Sequence, residues 1–177
     1  MQHTHESEEW RPVDGYGYKY EVSNQGRVRS VAREVRRPNR GTYRVAERIL
    51  KPRRAHHGHQ YVTLFGDTKK DRRHFGVHRL VLAAFVGPCP EGMEACHNDG
   101  DPSNNQVSNL RWDTRSANML DKVRHGNHWN VNKTHCPQGH PYSAENTYSP
   151  PSRPTERMCR ACRIAYDKKR RAKSRIA

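Results

Sequence analysis

Between residues 93 and 126 the chain reads "MEACHNDGDPSNNQVSNLRWDTRSANMLDKVRHG". Its Asn, Asp, Gly and Pro would ordinarily mark a solvated loop. Val107, Leu110 and Trp112 are residue types that fold inward. A polar loop anchored at one end by apolar residues admits few architectures. "MEACH" (93–97) reads as a short strand and "NLRWD" (109–113) as its partner. "TRSANMLDKVRHG" (114–126) reads as a helix, with Thr114 as N-cap and Gly126 at its end. The expectation is strand, long loop, strand, helix. His97 then ends the first strand, Asn109 begins the second, and Asn118 lies about one turn into the helix.

The flanking segments add strands and one apolar helix. "VHRLVLAAFVG" (77–87) puts Val77, Leu80, Val81, Ala84 and Phe85 on one helical face, and Gly87-Pro88 stops it. "QYVTLF" (60–65) is a strand by β-branched and aromatic content, and "RRHFGV" (72–77) pairs back on it. "YKYEV" and "RVRSV" flank an "SNQG" turn at 23–26. Residues 33–54 are Arg-rich, with breaks at Pro38, Gly41 and Pro52.

Apolar residues make up only 32% of the chain, below the usual share of a globular domain. One large core is not expected. Small modules helped by metal are, because small domains bury too little apolar surface to stand alone.

Net charge is +15, and it is segregated. Residues 27–54 carry eleven Arg/Lys against two acids, and residues 133–177 eleven against three. Residues 77–132 carry five against six. Two basic flanks around a near-neutral centre suit double-stranded DNA lying along the protein.

No stretch reaches the ~18 apolar residues of a membrane span, and the N-terminal "MQHTHESEEW" is too acidic for a signal peptide. The expected location is cytoplasmic, with no membrane partner. Cysteines there are more often metal ligands or reactive groups than disulfides.

Cys136, His140, Cys159 and Cys162 stand in the pattern C-x₃-H-x₁₈-C-x₂-C. Four N/S ligands in two close pairs suit a tetrahedral structural zinc, with His135 as a competitor for His140. Little apolar residue lies between the pairs, so the metal would supply most of the stability. The chain then ends in "CRACRIAYDKKRRAKSRIA", a basic helix whose Lys168, Lys169, Arg170 and Arg171 are candidate DNA contacts.

"CHNDGDPSNNQVSNLRWDTRSANMLD" resembles the HNH motif of phage- and intron-type homing endonucleases, which reads roughly H-x-D-G-x-x-x-N-N-x-x-x-N-L-x-W followed by a helical Asn. His97, Asp99, Gly100, Asn104, Asn105, Asn109, Leu110, Trp112 and Asn118 match it. The helix at 77–87 also resembles the one that precedes the motif. The resemblance implies a ββα-metal fold and metal-dependent hydrolysis of phosphodiester bonds in duplex DNA, leaving 5′-phosphate and 3′-hydroxyl ends. His97 is implied as general base, since an ordinary imidazole titrates near neutrality. Asn118 is implied as ligand of a divalent cation, Mg²⁺ or Mn²⁺. Asn109 is implied to hold the loop or the His97 ring in place.

The chain departs from that family just before the His. Related nucleases often carry an acidic metal ligand there, and here it is Cys96, a soft partner for a hard cation. Either Cys96 is a bystander or another carboxylate contributes. Asp99 and Asp121 are candidates, with Asp101 and Asp113 behind them. The rival reading is a non-enzymatic DNA-binding protein or regulator with a degenerate HNH fold.

"EEWRPVDGYGYKYEVSNQGRVRSVAR" resembles the DNA-binding module often fused to homing nucleases, with pattern E-x-W-x-x-V-x-G-Y and then Y-x-V-S-N-x-G-R-V-R-S. Arg27 and Arg29 alternate with Val28, so both point to one strand face. From there they would reach into a groove or to phosphates, and Arg33, Arg36, Arg37, Arg40, Arg53 and Arg54 would add backbone contacts. His78 reads as structural and "HHGH" (56–59) as a solvated turn.

The expected class is α+β: an N-terminal β-rich module at 8–55, a ββα HNH module at 56–126, a linker at 127–134, and a zinc module with basic helix at 135–177. The protein is expected to act as a monomer, in the host cytoplasm if phage-encoded.

Overall fold

The computed structural model describes residues 7–37, 40–66, 68, 70–154 and 156–174, with Arg37 described by its backbone alone. The break at Pro38 and the side chain of Arg37 lie outside the described residues. The chain divides into two compact units, Met1–His125 and Gly126–Ala177.

The first unit begins with β1 (Trp10–Pro12), β2 (Tyr20–Ser23) and β3 (Val28–Ser30). β2 and β3 form the hairpin expected around "SNQG", with Tyr20 opposite Ser30 and Val22 opposite Val28. The Arg-rich stretch is more ordered than its composition suggests. β4 (Arg33–Arg37) pairs antiparallel with β5 (Gly41–Val45). β6 (Arg48–Ile49) adds to β3, giving the order β1-β2-β3-β6. β7 (Arg53–Arg54) instead joins a second sheet with β8 (Gln60–Phe65) and β9 (Arg72–Gly76).

β9 runs straight into α1 (Val77–Phe85). After it come β10 (Met93–His97), a 3₁₀ turn at Val107–Asn109, β11 (Leu110–Thr114) and α2 (Arg115–Arg124). Thr114 caps α2, its hydroxyl accepting from the Ala117 amide at 3.2 Å, and Gly126 follows with φ +69°. Asn109 sits in the 3₁₀ turn and not in the strand. Its amide is bonded back to Gln106 O, so pairing starts one residue later, at Leu110.

One core joins these pieces. Val13, Tyr20, Val22 and Val28 pack in the same cluster as Val62 and Leu64, as Val77, Leu80, Val81 and Leu82 of α1, and as Leu110. The expected helix face is thus covered. Leu82, off that face, is also fully buried, because α1 packs on β1, β2, β8 and β9 and also on β10 and β11. Burying each such side chain contributes about 1.5–3 kcal/mol. The N-terminal strands are also tied to the end of α1: the Arg11 guanidinium stacks on Phe85 at 4.5 Å and donates to Ala84 O at 3.2 Å.

The second unit holds β12 (Thr147–Tyr148), β13 (Met158–Cys159) and α3 (Arg160–Ser174). β12 and β13 pair antiparallel. α3 buries none of its residues.

Candidate active site and metal centre

β10 and β11 pair with Ala95 opposite Trp112, His97 opposite Leu110, Cys96 opposite Arg111 and Glu94 opposite Asp113. Strand alternation sends these pairs to two faces. Ala95, His97, Leu110 and Trp112 take the core side, where the Trp112 indole N–H donates to Gly87 O at 3.0 Å. Glu94, Cys96, Arg111 and Asp113 take the side that meets α2.

His97 is 9% exposed. Its ring lies 5.4 Å from the His59 ring and 5.3 Å from the His78 ring. Burial pushes the His97 pKa below the ordinary 6.5, so the ring is neutral at physiological pH. His78 is held down at about 3, by burial first and then by its histidine neighbours. Burial lowers His59 as well. These placements correct one sequence expectation: His59 of "HHGH" packs against His97 and is not a solvated turn residue, whereas His78 is buried beside the core as expected. Both rings pack against the His97 ring.

Asn105 reaches the His97 ring, with Oδ1 3.5 Å from Nε2. Its Nδ2 donates to Gln60 Oε1 and to Ser103 O, each at 3.1 Å. Two acceptors on one end of the amide fix which end faces the imidazole. Oδ1 is an acceptor, so the neutral ring carries its proton on Nε2 and leaves Nδ1 basic. The tight "SNQG" turn supports this arrangement. Val107 N donates to Asn24 O at 2.8 Å. Gly26 has φ +81°, and a Cβ there would lie 2.6 Å from Asn105 Cβ and 2.8 Å from Asn105 O.

Asn109 holds the loop rather than the ring. Its Oδ1 accepts from Asp99 N at 3.0 Å, and its Nδ2 donates to Asp99 Oδ1 and Asn104 O, both at 2.9 Å. The Asp99 carboxylate also accepts from Asp101 N at 2.8 Å and from Asn104 Nδ2 at 2.7 Å. Both its oxygens are therefore spent inside the loop. Gly100 has φ +74° and lies where a Cβ would strike the His125 ring.

On the α2 side, Cys96 is 2% exposed. Burial raises its thiol pKa, so it stays protonated. A buried neutral thiol does not suit a hard cation. Asp121 is tied to Arg111 and to Arg124. Asp113 is tied to Arg111 at 2.9 Å and to Thr114 N at 2.8 Å. Asn118 donates from Nδ2 to Glu94 Oε2 at 2.9 Å. Glu94 was not a candidate from the sequence. Its signal was strand parity: it shares a face with Cys96, two residues upstream.

Three of the candidate DNA-binding arginines have partners within the unit. Arg27 pairs with Glu8, and Arg29 with Glu21 at 2.6 Å and Glu47 at 3.2 Å. Both stack on Trp10. Arg33 donates to Lys19 O, Ser30 Oγ and Val31 O. Arg36, Arg53 and Arg54 are exposed, as are Lys168, Lys169, Arg170 and Arg171 on α3.

In the second unit Cys136, His140, Cys159 and Cys162 converge, with one ligand atom from each lying within 4.8 Å of the others. Cys136 Sγ lies 3.5 Å from His140 Nδ1 and 3.6 Å from Cys162 Sγ, and His140 Nδ1 lies 3.3 Å from Cys162 Sγ. A tetrahedral zinc with bonds of about 2.3 Å to sulfur and 2.0 Å to nitrogen sets ligand–ligand edges of roughly 3.5–3.8 Å. Cys136, His140 and Cys162 match those edges, and Cys159 lies within 4.8 Å of them. Gly139, at φ +81°, turns the chain so that Cys136 N can donate to His140 O at 2.9 Å. Asn146 ties the second pair down, donating to Cys159 Sγ at 3.3 Å and accepting from Ala161 N at 3.0 Å.

Comparison with known proteins meets this geometry at both modules of the first unit. Residues 8–65 match the NUMOD4 motif and residues 75–120 the HNH endonuclease family. DNA endonuclease I-HmuI of Bacillus phage SP01 is 33% identical over 118 residues, covering 67% of this chain and 59% of that protein. YosQ of Bacillus subtilis (strain 168), derived from prophage SPbeta and bearing an HNH homing endonuclease name, is 33% identical over 85 residues, covering 46% of this chain and 49% of its own length. The structure describing DNA binding and cleavage by I-HmuI superposes with a TM-score of 0.52 at 32% identity, over 67% of this chain and 60% of that one. The chain thus spans about half to three-fifths of the length of these relatives. No helix among the described residues is long and apolar enough to cross a membrane. Over two thirds of its length the chain is similar to I-HmuI, with a match to the NUMOD4 motif at residues 8–65 and to the HNH endonuclease family at residues 75–120.

Proposed function

We propose that the protein is a metal-dependent DNA endonuclease of the HNH homing type, with His97 as its general base. The observation that carries this reading is the state of His97: neutral by burial, with Nε2 turned to an acceptor and Nδ1 left basic. A base must be unprotonated at working pH and fixed in direction; the burial of His97 and its contact with Asn105 Oδ1 support both. His97 Nδ1 takes the proton of the water that attacks the phosphorus. The bond to the 3′ oxygen breaks, and that oxygen takes a proton from solvent, leaving 5′-phosphate and 3′-hydroxyl ends. A divalent cation, Mg²⁺ or Mn²⁺, held by Asn118 would supply charge neutralisation for this step.

Asn118 offers an amide oxygen of the kind such a cation takes, and Cys96 does not. Asp99 acts as loop organiser together with Asn109, because its oxygens are already bonded. Among the arginines, exposed Arg36, Arg53 and Arg54 are the phosphate contacts we favour in the first unit. Arg27, Arg29 and Arg33 serve chiefly to hold their own module together. The zinc module carries Lys168, Lys169, Arg170 and Arg171 to the DNA backbone, with Zn²⁺ held by Cys136, His140, Cys159 and Cys162. The protein works as a monomer in the cytoplasm.

Cys96 favours a second reading, a DNA-binding protein or regulator whose HNH fold no longer cuts. Plasmid nicking with Mg²⁺ or Mn²⁺ separates the two. We expect the wild type to nick and His97→Ala to lose about 10²–10⁴-fold. Binding without cleavage by both would overturn the enzyme reading.

A further inference from the structure

An asparagine is an ambiguous metal ligand. Its amide ends are alike in shape, but only the oxygen can meet a cation. An enzyme that relies on Asn118 must decide which end points to the ion. The α2-facing side of β10 contains a residue that makes this decision.

We propose that Glu94 is a positioning residue that fixes the amide of Asn118, so that Oδ1 and not Nδ2 is offered to the divalent cation. The proposal rests on the nuclease reading above. Glu94 Oε2 lies 2.9 Å from Asn118 Nδ2. An ionised carboxylate only accepts, so the NH₂ end must face it. Oδ1 is then turned away, and it has no hydrogen-bond partner among the described residues.

The neighbouring carboxylates cannot take this part. Asp113 is held by Arg111 and Thr114 N. Asp121 is held by Arg111 and Arg124. Asp99 is committed to the loop. Glu94 is also held from its own strand, because the Cys96 thiol donates to Glu94 O at 3.6 Å. The residue standing where relatives carry an acid thus braces the backbone of the acid two positions earlier. Glu94 and Asn118 make this contact near the surface, where it adds little to stability. Its consequence is orientation, the usual task of a group that bonds to a metal ligand.

The test is Mn²⁺ binding by the full zinc-loaded chain, read by electron paramagnetic resonance, with thermal unfolding alongside. Five proteins are compared: wild type, Glu94→Gln, Asn118→Ala, Asn118→Asp and the Glu94→Gln/Asn118→Asp double variant. A glutamine can donate as well as accept, so it no longer dictates which end of Asn118 faces it. Glu94→Gln should weaken Mn²⁺ binding by about 10–100-fold, with the melting temperature little changed. Asn118→Asp has oxygen at both ends and needs no orienting. In that background Glu94→Gln should leave binding unchanged or tighten it, since it removes a like charge.

Unchanged binding in Glu94→Gln alone would overturn the proposal. Equal weakening in both backgrounds would also overturn it, by making Glu94 a ligand itself. Failure of wild type to bind Mn²⁺ more tightly than Asn118→Ala would instead overturn the nuclease reading on which the proposal rests.

Discussion

The two units position polar side chains by different means. In the first, His97, Asn105 and Asn109 sit at the edge of an apolar core that runs from Val13 to Leu110. In the second, two of the few buried residues are Cys136 and Cys159, and α3 buries nothing. One unit can hold its site by packing. The other holds its four convergent ligands with a two-stranded ribbon and the hydrogen bonds of Asn146. The contrast shows that a chain with 32% apolar residues can still make one adequate core when every Leu and Phe falls in one unit, while the other gathers four zinc-type ligands.

The sharpest way to break this comparison is to remove zinc. Structural zinc contributes about 10–16 kcal/mol in small modules. Chelation should unfold Gly126–Ala177 and leave the first unit folded, with circular dichroism losing the α3 signal while near-ultraviolet signals from Trp10 and Trp112 persist. Cys159→Ser should do the same without chelator.

The converse is a core truncation. Leu82→Ala removes a fully buried side chain and should cost about 2–5 kcal/mol by denaturant unfolding. Zinc affinity should not change.

Gly26→Ala probes the bond between the two halves of the first unit. The added Cβ meets the Asn105 backbone at a positive φ. About 1–3 kcal/mol of stability should be lost, and nicking should fall by up to about 100-fold as Asn105 is pushed off the His97 ring. Loss of stability with full activity would mean that the NUMOD4 turn does not steady the base.

The smallest effect is in acid. Unfolded, His78 takes its proton near 6.5; folded, it is held at about 3. The unfolded state binds more protons between those values, so stability falls as pH drops through that window. His78→Gln should flatten the fall between pH 7.5 and 5.5 by roughly 1 kcal/mol, read from unfolding midpoints.

The elements that follow a period were legible in the sequence. β8, β10, α1 and α2 appear within a residue or two of their expected limits, because alternation and helical spacing are local properties. The four zinc-type ligands were legible from their spacing. Contacts across the chain were not. Nothing local in "HHGH" says that His59 will lie against His97, or that Gly26 will lie under Asn105. The Arg-rich stretch hid the β4–β5 hairpin, because its pairing comes from backbone register rather than apolar alternation. Glu94 was overlooked for a related reason. The expected acid was sought beside His97, whereas the strand's two-residue repeat places the same face one step further back.

The most direct test of His97 as base is the pH dependence of single-turnover cleavage at saturating Mg²⁺. Burial lowers the His97 pKa, so the rate should fall with acid through a single ionisation below 6.5 and be level at pH 7 and above. His97→Ala should abolish that limb together with most of the rate. A limb that survives in His97→Ala, or a wild-type rate still climbing above pH 7, would contradict it.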